Sequence, residues 1–361
     1  MKYRAADVQP ARDYGFFGPD SVSWRVWGHI GSTLMGFSRS VTMEQLDLGL
    51  AAATAGTGKI INNPRGRAAN TLQYFYTVIA GDSAAATVSS ATLVRIHLRF
   101  GQGVEPLSGL RYDANSPRSQ MWILLCAWHS RLVCYEQFGP GKLSEEDENR
   151  YWAECAVFSE LQTVDSAAVP RNRAEVELYF QQKRGHAAVS EVSRNAMHHM
   201  VDFREIAPPV PRYLLPLEWL LAGVGRAAVI SSLPGWARKL GGFRQPRIVG
   251  SLATGLCRFL FRRLEKKPAA KLRVIGSIAP TAARVMAPVL FKVPAEREVV
   301  LTPGEAFAHY GIDPPAELRA QLSPQEGWTI APFPPPDGPA GHTPRSEAGP
   351  QGLTGVDDGP G

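Results

Sequence analysis

The spacing of the apolar residues is the feature that most constrains the fold. Between Ser21 and Phe180 they recur mostly at three- and four-residue intervals, and two-residue alternation is scarce. Such spacing places apolar side chains on one face of an α-helix, whereas alternation is typical of a half-buried strand. The sequence therefore predicts an all-α, multi-helix bundle. The helices predicted in this part of the chain are 22–36, 42–56, 67–81, 83–100, 117–138, 144–160 and 171–184.

A second set of helices is predicted from about 186 to 290, with breaks between them at proline and glycine residues. No flexible linker separates the two sets, so 15–290 is expected to form one helical body after an N-terminal extension, 1–14. Residues 291–330 are predicted to be mixed in structure. In the tail, 331–361, 15 of the 31 residues are proline or glycine. Such a composition cannot bury enough apolar surface to offset its ordering entropy, so disorder is expected there.

Length and composition exclude several classes of protein. With 361 residues, of which 44% are hydrophobic, the chain can bury a sizeable core without disulfides. Its four cysteines show no CxxC spacing, which favours buried free thiols in a reducing compartment. The N-terminus lacks the apolar region of a secretory signal, and no apolar run is long enough to predict a membrane span. The expected location is the cytoplasm, with peripheral attachment to a membrane as an alternative.

Basic residues are concentrated in one region. Residues 211–300 contain 16 Lys or Arg against 4 Asp or Glu, and 248–267 reads as a basic amphipathic helix. This pattern suits an anionic membrane surface or an acidic partner. The alternative is a core-facing apolar stripe with a solvated basic face. No nucleic-acid reader motif is present, so nucleic acid is not expected as a partner. The apolar segment from Leu214 to Leu233 is interpreted as part of a buried helix pair.

The motifs that carry common enzyme chemistry are absent. The chain has no GxGxxG, P-loop, GxSxG or HExxH sequence. His198 and His199 are adjacent, so on a helix they point about 100° apart and make a poor ligand pair. His97 lies among apolar residues of a predicted helix. Such an imidazole is either a satisfied core histidine or a metal or haem ligand.

Several short motifs, in this order along the chain, resemble one family of oxygenases. The family comprises the bacterial latex-clearing proteins (rubber oxygenases) and the fungal MpaB-type oxygenases, and the resemblance covers about 15–240. The motifs are Arg67 with Thr71, Ile96-His97 with Gly101, Tyr112-Asp113-Ala114, Trp122, Tyr151-Trp152-Ala153-Glu154, Val169-Pro170, and Leu233-Pro234 with Arg238.

The resemblance implies a globin-like helical core around a haem b, and oxidative cleavage of isoprenoid double bonds by dioxygen. His97 would be the proximal ligand of the haem iron. Arg67 and Thr71 would be the catalytic and cofactor-binding residues beside it. A neutral imidazole can ligate iron and leave one face open for dioxygen, and a guanidinium can pair with a haem propionate. The implied partners are dioxygen and a small apolar, isoprenoid or lipid-like substrate.

The chain also departs from the family pattern. Leu124 stands where the family has a histidine, the His-Pro after Gln45 is missing, and Asn70 replaces a lysine of the rubber oxygenases. Glu44 is the nearest match to the carboxylate base of rubber cleavage. His129 is either a second axial ligand or an interface histidine. Two other functions therefore stay open: a catalytically degenerate haem-binding member, and a membrane-surface interaction protein acting through 211–300.

Overall fold

Helices form most of the regular structure, so the all-α prediction is confirmed. The computed structural model describes residues 3–56, 62–104, 109 and 111–322, without the side chains of 54–56. Within these residues there are sixteen α-helices and one two-stranded antiparallel sheet. The expected disordered tail, 331–361, lies outside the described residues. The division of the chain at 14, 290 and 330 stays a prediction.

The helices and strands are numbered in chain order. The helices are α1 (Val22–Trp27), α2 (Phe37–Glu44), α3 (Leu48–Gly56), α4 (Pro64–Ala80), α5 (Ser83–Phe100), α6 (Pro117–Phe138), α7 (Glu145–Ser159), α8 (Arg173–Arg184), α9 (Glu191–Met200), α10 (Leu215–Ser232), α11 (Gly235–Leu240), α12 (Arg247–Glu265), α13 (Pro268–Ile278), α14 (Pro280–Phe291), α15 (Pro303–Tyr310) and α16 (Pro315–Leu322). The strands are β1 (Gln102–Val104) and β2 (Arg111–Asp113), with Gly103 opposite Tyr112.

The first two predicted helices are divided differently in the structure. Instead of 22–36 and 42–56, the chain breaks after Trp27 and again after Glu44, and a π-helical turn, Ser32–Gly36, leads into α2. The later helix boundaries agree closely with the prediction, because the capping residue and the N–H group that it accepts lie within a few residues in the sequence. The hydroxyl of Ser116 accepts the backbone N–H of Ser119, and that of Ser144 accepts the N–H of Asp147.

Helix α6 runs through the middle of an aromatic core. Trp128 on this helix packs edge-on against Trp27, with ring centroids 5.6 Å apart, and lies 4.7 Å from the ring of Tyr151. The Tyr151 hydroxyl donates to the Trp128 carbonyl at 2.9 Å, so its polar atom is satisfied inside the core. All four cysteines are buried free thiols, as expected.

A buried arginine on α6 satisfies the π-helical turn. Arg131 Nη1 donates to the carbonyls of Ser32 and Thr33 at 2.6 and 2.9 Å, and its guanidinium lies 4.7 Å from the ring of Trp27. A π-helical turn disturbs the regular i→i−4 ladder, so these carbonyls need other donors. Arg131 supplies them and fixes α6 against the start of α2.

Helices α10 and α12 pack on each other but leave large apolar side chains in solvent. Arg212–Ser232, which contains α10, is the one helical segment of the described residues long and apolar enough to cross a membrane by length and composition. Only one-third of that segment is buried, and Trp219 is 62% exposed. The interpretation of Leu214–Leu233 as part of a buried helix pair is therefore wrong for the first half of α10.

Glu154 on α7 caps the first turn of α1. Its two carboxylate oxygens accept the backbone N–H groups of Val22 and Ser23 at 3.0 and 2.6 Å. The Glu154→Gln substitution replaces one acceptor with an NH₂ group facing a donor. We expect it to lower the free energy of unfolding by about 1–3 kcal/mol.

Chemical denaturation of both variants measures this effect. Glu177→Gln is the matched control, because Glu177 is exposed on α8. Its free energy of unfolding should stay within about 0.5 kcal/mol of the wild-type value. Equal effects of the two substitutions would contradict the capping role of Glu154.

Candidate active site

A cavity of about 460 Å³ lies among α2, α3, α4, α5 and the start of α6. Its wall combines apolar side chains with a small polar set. The apolar lining includes Val41, Leu50, Phe75, Leu93, Ile96, Phe100 and Ile123; the polar lining includes Glu44, Arg67, Asn70, Thr71, Tyr74, His97, Gln120 and Gln162. The three site residues expected from the sequence, Arg67, Thr71 and His97, thus line one cavity.

The Asn115 side chain holds the ring of His97, which lies near the end of α5. His97 Nδ1 is 3.1 Å from Asn115 Oδ1. The other end of the same amide, Nδ2, donates to the Val94 carbonyl at 2.8 Å. This second bond identifies the atom facing His97 as the acceptor oxygen. The Asn115 contact, the shorter of the two polar contacts at His97 Nδ1, therefore favours the tautomer with the proton on Nδ1.

This tautomer leaves His97 Nε2 with a lone pair and without a protein partner among the described residues. Burial lowers the pKa of His97 to about 4, against a smaller raising effect of the Asn115 hydrogen bond. The ring is therefore neutral at pH 7. A neutral imidazole whose other nitrogen is held by a hydrogen bond is the usual form of a histidine metal ligand.

Arg67 brings an unpaired guanidinium to the cavity. It follows the helix start at Pro64, where Asn63 caps the first turn by accepting the Gly66 N–H at 3.0 Å. Among the described residues the Arg67 side chain makes no hydrogen bond and no ion pair within 4 Å. Burial lowers its pKa, and Glu44 partly offsets this. The group remains a cation and can receive an anionic or strongly polar ligand.

Thr71 follows Arg67 by one helical turn. Its hydroxyl donates to the Arg67 carbonyl at 3.0 Å, so its proton is already used. The oxygen can therefore only accept a hydrogen bond from the cavity.

Glu44, at the end of α2, places a carboxyl group in the same cavity. Its Oε1 accepts from Ser40 at 2.9 Å. Burial raises its pKa, while Ser40 and Arg67 lower it. The sequence analysis left Glu44 unassigned because its spacing to Arg67 differs from the family pattern, and only the structure shows that both residues line one cavity.

Asn115 and Gln120 were not predicted as site residues. Gln120 Nε2 donates to the Ala114 carbonyl and lies 3.2 Å from His97 Nδ1. Both residues meet His97 because the β1–β2 hairpin folds the chain back on the end of α5. Asn115 directly follows the Tyr112-Asp113-Ala114 motif, but this position in the sequence does not identify it as a hydrogen-bond partner of His97.

Two other residues discussed from the sequence do not line the cavity. His129 packs against Phe180, with ring centroids 4.7 Å apart, and its Nδ1 has no partner in the described part of the chain. Leu124, at the place of a family histidine, is fully buried. His129 therefore lies at a helix interface, outside the described lining of the cavity that contains His97.

Residues 24–265, about two-thirds of the chain, match the sequence profile of the family described as ER-bound oxygenase mpaB/B′/Rubber oxygenase, catalytic domain. The resemblance inferred from the ordered motifs is confirmed. No curated protein matches the chain.

The tautomer and pKa of His97 can be measured directly. We expect ¹⁵N NMR of the ring to show the Nδ1–H form, titrating near pH 4, with the signal assigned by its loss in His97→Gln. Because the unfolded chain protonates this histidine near its ordinary pKa of about 6.5, the free energy of unfolding should fall as pH decreases from there towards the folded pKa.

The substitution Asn115→Asp tests whether Asn115 sets the tautomer of His97. A carboxylate beside Nδ1–H stabilises the imidazolium, so the pKa of His97 should rise by about one unit or more. An Nε2–H ring in the wild type, or a pKa unchanged by Asn115→Asp, would show that Asn115 does not set the tautomer.

Proposed function

The chain belongs to the family of MpaB and rubber-oxygenase catalytic domains, and from this premise we propose that it is a haem b-dependent oxygenase acting with dioxygen on an apolar, isoprenoid or lipid-like substrate. The observation that carries the proposal is the state of His97, which lines the cavity as a neutral ring. Asn115 holds its Nδ1, and its Nε2 has no partner among the residues that the structure describes. A single such nitrogen is enough to hold a haem iron.

The residues of the cavity fit a haem in two further respects. The volume of about 460 Å³ lies within the range of roughly 300–1,000 Å³ typical of cofactor and small-molecule sites. The guanidinium of Arg67, which has no ion-pair partner in the described part of the chain, matches a propionate that would neutralise this partly buried cation. When bound, a haem b supplies the iron at which dioxygen is activated.

The polar side chains of the cavity have distinct roles in the proposal. Arg67 holds a propionate or a negatively charged oxygen ligand through N–H donors. Thr71 offers only an acceptor and orients a donor on the bound ligand. Glu44, whose raised pKa brings protonation closer to neutral pH, accepts or donates a proton at its carboxyl oxygens.

The apolar lining supports the substrate class. Val41 and Leu50 come from the side of α2 and α3, Leu93 and Ile96 from α5, and Ile123 from α6. These branched side chains offer dispersion contacts and no hydrogen bonds. An isoprenoid or acyl chain therefore binds there with little desolvation cost, whereas a polar substrate would lose its hydration.

His97→Ala tests the ligand assignment. Haem loading, measured by the Soret absorbance of protein expressed with haem precursor, should be abolished because no second histidine is among the described residues that line the cavity. His309→Ala is the matched control, since His309 is exposed on α15 and outside the cavity. A His97→Ala protein that retains the wild-type ratio of haem to protein would show that the assignment is wrong.

Arg67→Ala tests the anion-binding role. Removing a charge-assisted hydrogen bond costs about 1.5–3 kcal/mol, so haem affinity or dioxygen consumption with squalene should fall by about 10- to 150-fold. Circular dichroism should show an unchanged fold. Arg67→Lys should restore only part of the lost haem affinity or activity, because an ammonium cannot make the bidentate contact. Full haem loading and activity in Arg67→Ala would contradict this role.

Haem loading without dioxygen consumption on any isoprenoid would instead support the alternative of a haem-binding member that has lost catalysis. Leu124, an apolar side chain at the place of a family histidine, is the feature that favours this alternative.

A further inference from the structure

Helix α12 carries its bulky apolar side chains on the solvent side. Ile248, Leu252, Leu256, Phe259 and Leu260 are exposed, and Leu252 is 69% exposed. Their three- and four-residue spacing places them on one face of the helix. The opposite face, with Gly250, Ala253, Cys257 and Phe261, is buried in the protein. The alternative of a single core-facing apolar stripe with a solvated basic face is therefore wrong, because bulky apolar side chains also lie on the solvent side.

The neighbouring helix extends this surface. Leu217, Trp219, Leu220 and Leu221 in the first half of α10 are all exposed. The second half of α10 is buried and contacts α12, where Ser231 Oγ lies 3.0 Å from Thr254 Oγ1. Two adjacent helices thus expose apolar side chains, which soluble monomers rarely do over so many residues.

Exposed cations accompany these apolar side chains. Arg247 begins α12, and Arg262, Arg263, Lys266 and Lys267 lie at its end, all of them exposed. None of the five has a carboxylate within 4 Å among the described residues, although the Arg263 guanidinium stacks 4.3 Å over the Phe259 ring. The surface therefore carries positive charge that the protein itself does not neutralise.

A second cavity, of about 500 Å³, adjoins the same helix. Arg238, Arg247 and Arg258 line it, with Ser231, Thr254 and Gln245, and no carboxylate is among its described lining residues. Gly255, also in the lining, lies on the face of Ile248, Leu252 and Phe259 by its spacing in the helix. The cationic cavity therefore borders the exposed apolar face.

We propose that this surface of α10 and α12 docks on an anionic phospholipid bilayer, and that the arginine-lined cavity receives a lipid phosphate. Trp219 and the leucines enter the boundary between headgroups and acyl chains, and the unpaired cations contact anionic headgroups. Helix α10 lies on the membrane and does not span it, because its second half is buried in the protein. The proposal is independent of the haem site.

Vesicle flotation tests the proposal with the full chain. Binding should occur to phosphatidylcholine vesicles containing about 30% phosphatidylserine, weaken strongly in about 0.5 M salt, and be much weaker on pure phosphatidylcholine. The double variant Leu252→Glu with Leu256→Glu should bind at least about tenfold more weakly, since it places two charges in the apolar boundary. Arg262→Ala with Arg263→Ala should lower affinity about 25-fold, at about fivefold for each cation.

A matched control separates this surface from a general effect of added charge. Leu178→Glu with Val192→Glu alters two exposed side chains on α8 and α9, and should leave vesicle binding unchanged. Thermal unfolding of every variant checks the fold. Equal loss in the control variant, equal binding to neutral vesicles, or no binding at all would overturn the proposal.

The cavity is tested by Arg238→Ala with Arg247→Ala and by added inorganic phosphate. The variant should bind anionic vesicles more weakly, by about fivefold for each cation, and millimolar phosphate should not release the wild-type protein from them. Release by phosphate, with tight binding of phosphate alone, would assign the cavity to a soluble anion and overturn its role in docking.

Discussion

The site depends on the side-chain amide of Asn115, which has only one orientation that satisfies both of its ends. Nδ2 donates to the Val94 carbonyl on α5, and Oδ1 then faces His97 Nδ1 on the same helix. The Asn115 carbonyl accepts from Thr163 at 2.6 Å, which ties this loop to the segment after α7. One residue thereby positions His97 and favours one of its tautomers, whereas burial keeps the ring neutral. Without it, a buried imidazole on an apolar helix would have no defined free nitrogen.

The charged residues of the cavity are coupled in a similar way. Burial disfavours ionisation of both Glu44 and Arg67, and each favours ionisation of the other. The two side chains do not form an ion pair within 4 Å, so each remains available to interact with a ligand. The guanidinium can still meet an external anion, and the carboxyl can still exchange a proton. These two groups in an apolar cavity support the proposed combination of apolar-substrate binding and proton transfer.

Sequence reasoning predicted the helical class and most boundaries after residue 63, because these follow from local spacing and caps. The roles of His97, Arg67 and Thr71 come from the resemblance to the family and stay predictions, although the three residues line one cavity. Sequence reasoning failed at the break after Trp27, where a tertiary contact stabilises the new start: Glu265 accepts the Ile30 N–H at 2.6 Å. It also missed Asn115 and Gln120, which reach His97 only through the hairpin. Contacts of this kind leave no periodic signal in the chain.

The orientation of α12 shows that hydrophobic periodicity alone does not determine which face of a helix is buried. The helix has two nonpolar faces, one mainly small and one bulky, and spacing alone does not decide which is buried. Close packing decides it: a Cβ atom at Gly250 would lie 2.9 Å from Ser231 Cβ, so only a residue without a side chain fits against α10 there. The small face therefore turns inward, and Ile248, Leu252 and Leu256 are left in solvent. A surface that costs hydration free energy in the free protein becomes favourable on contact with lipid.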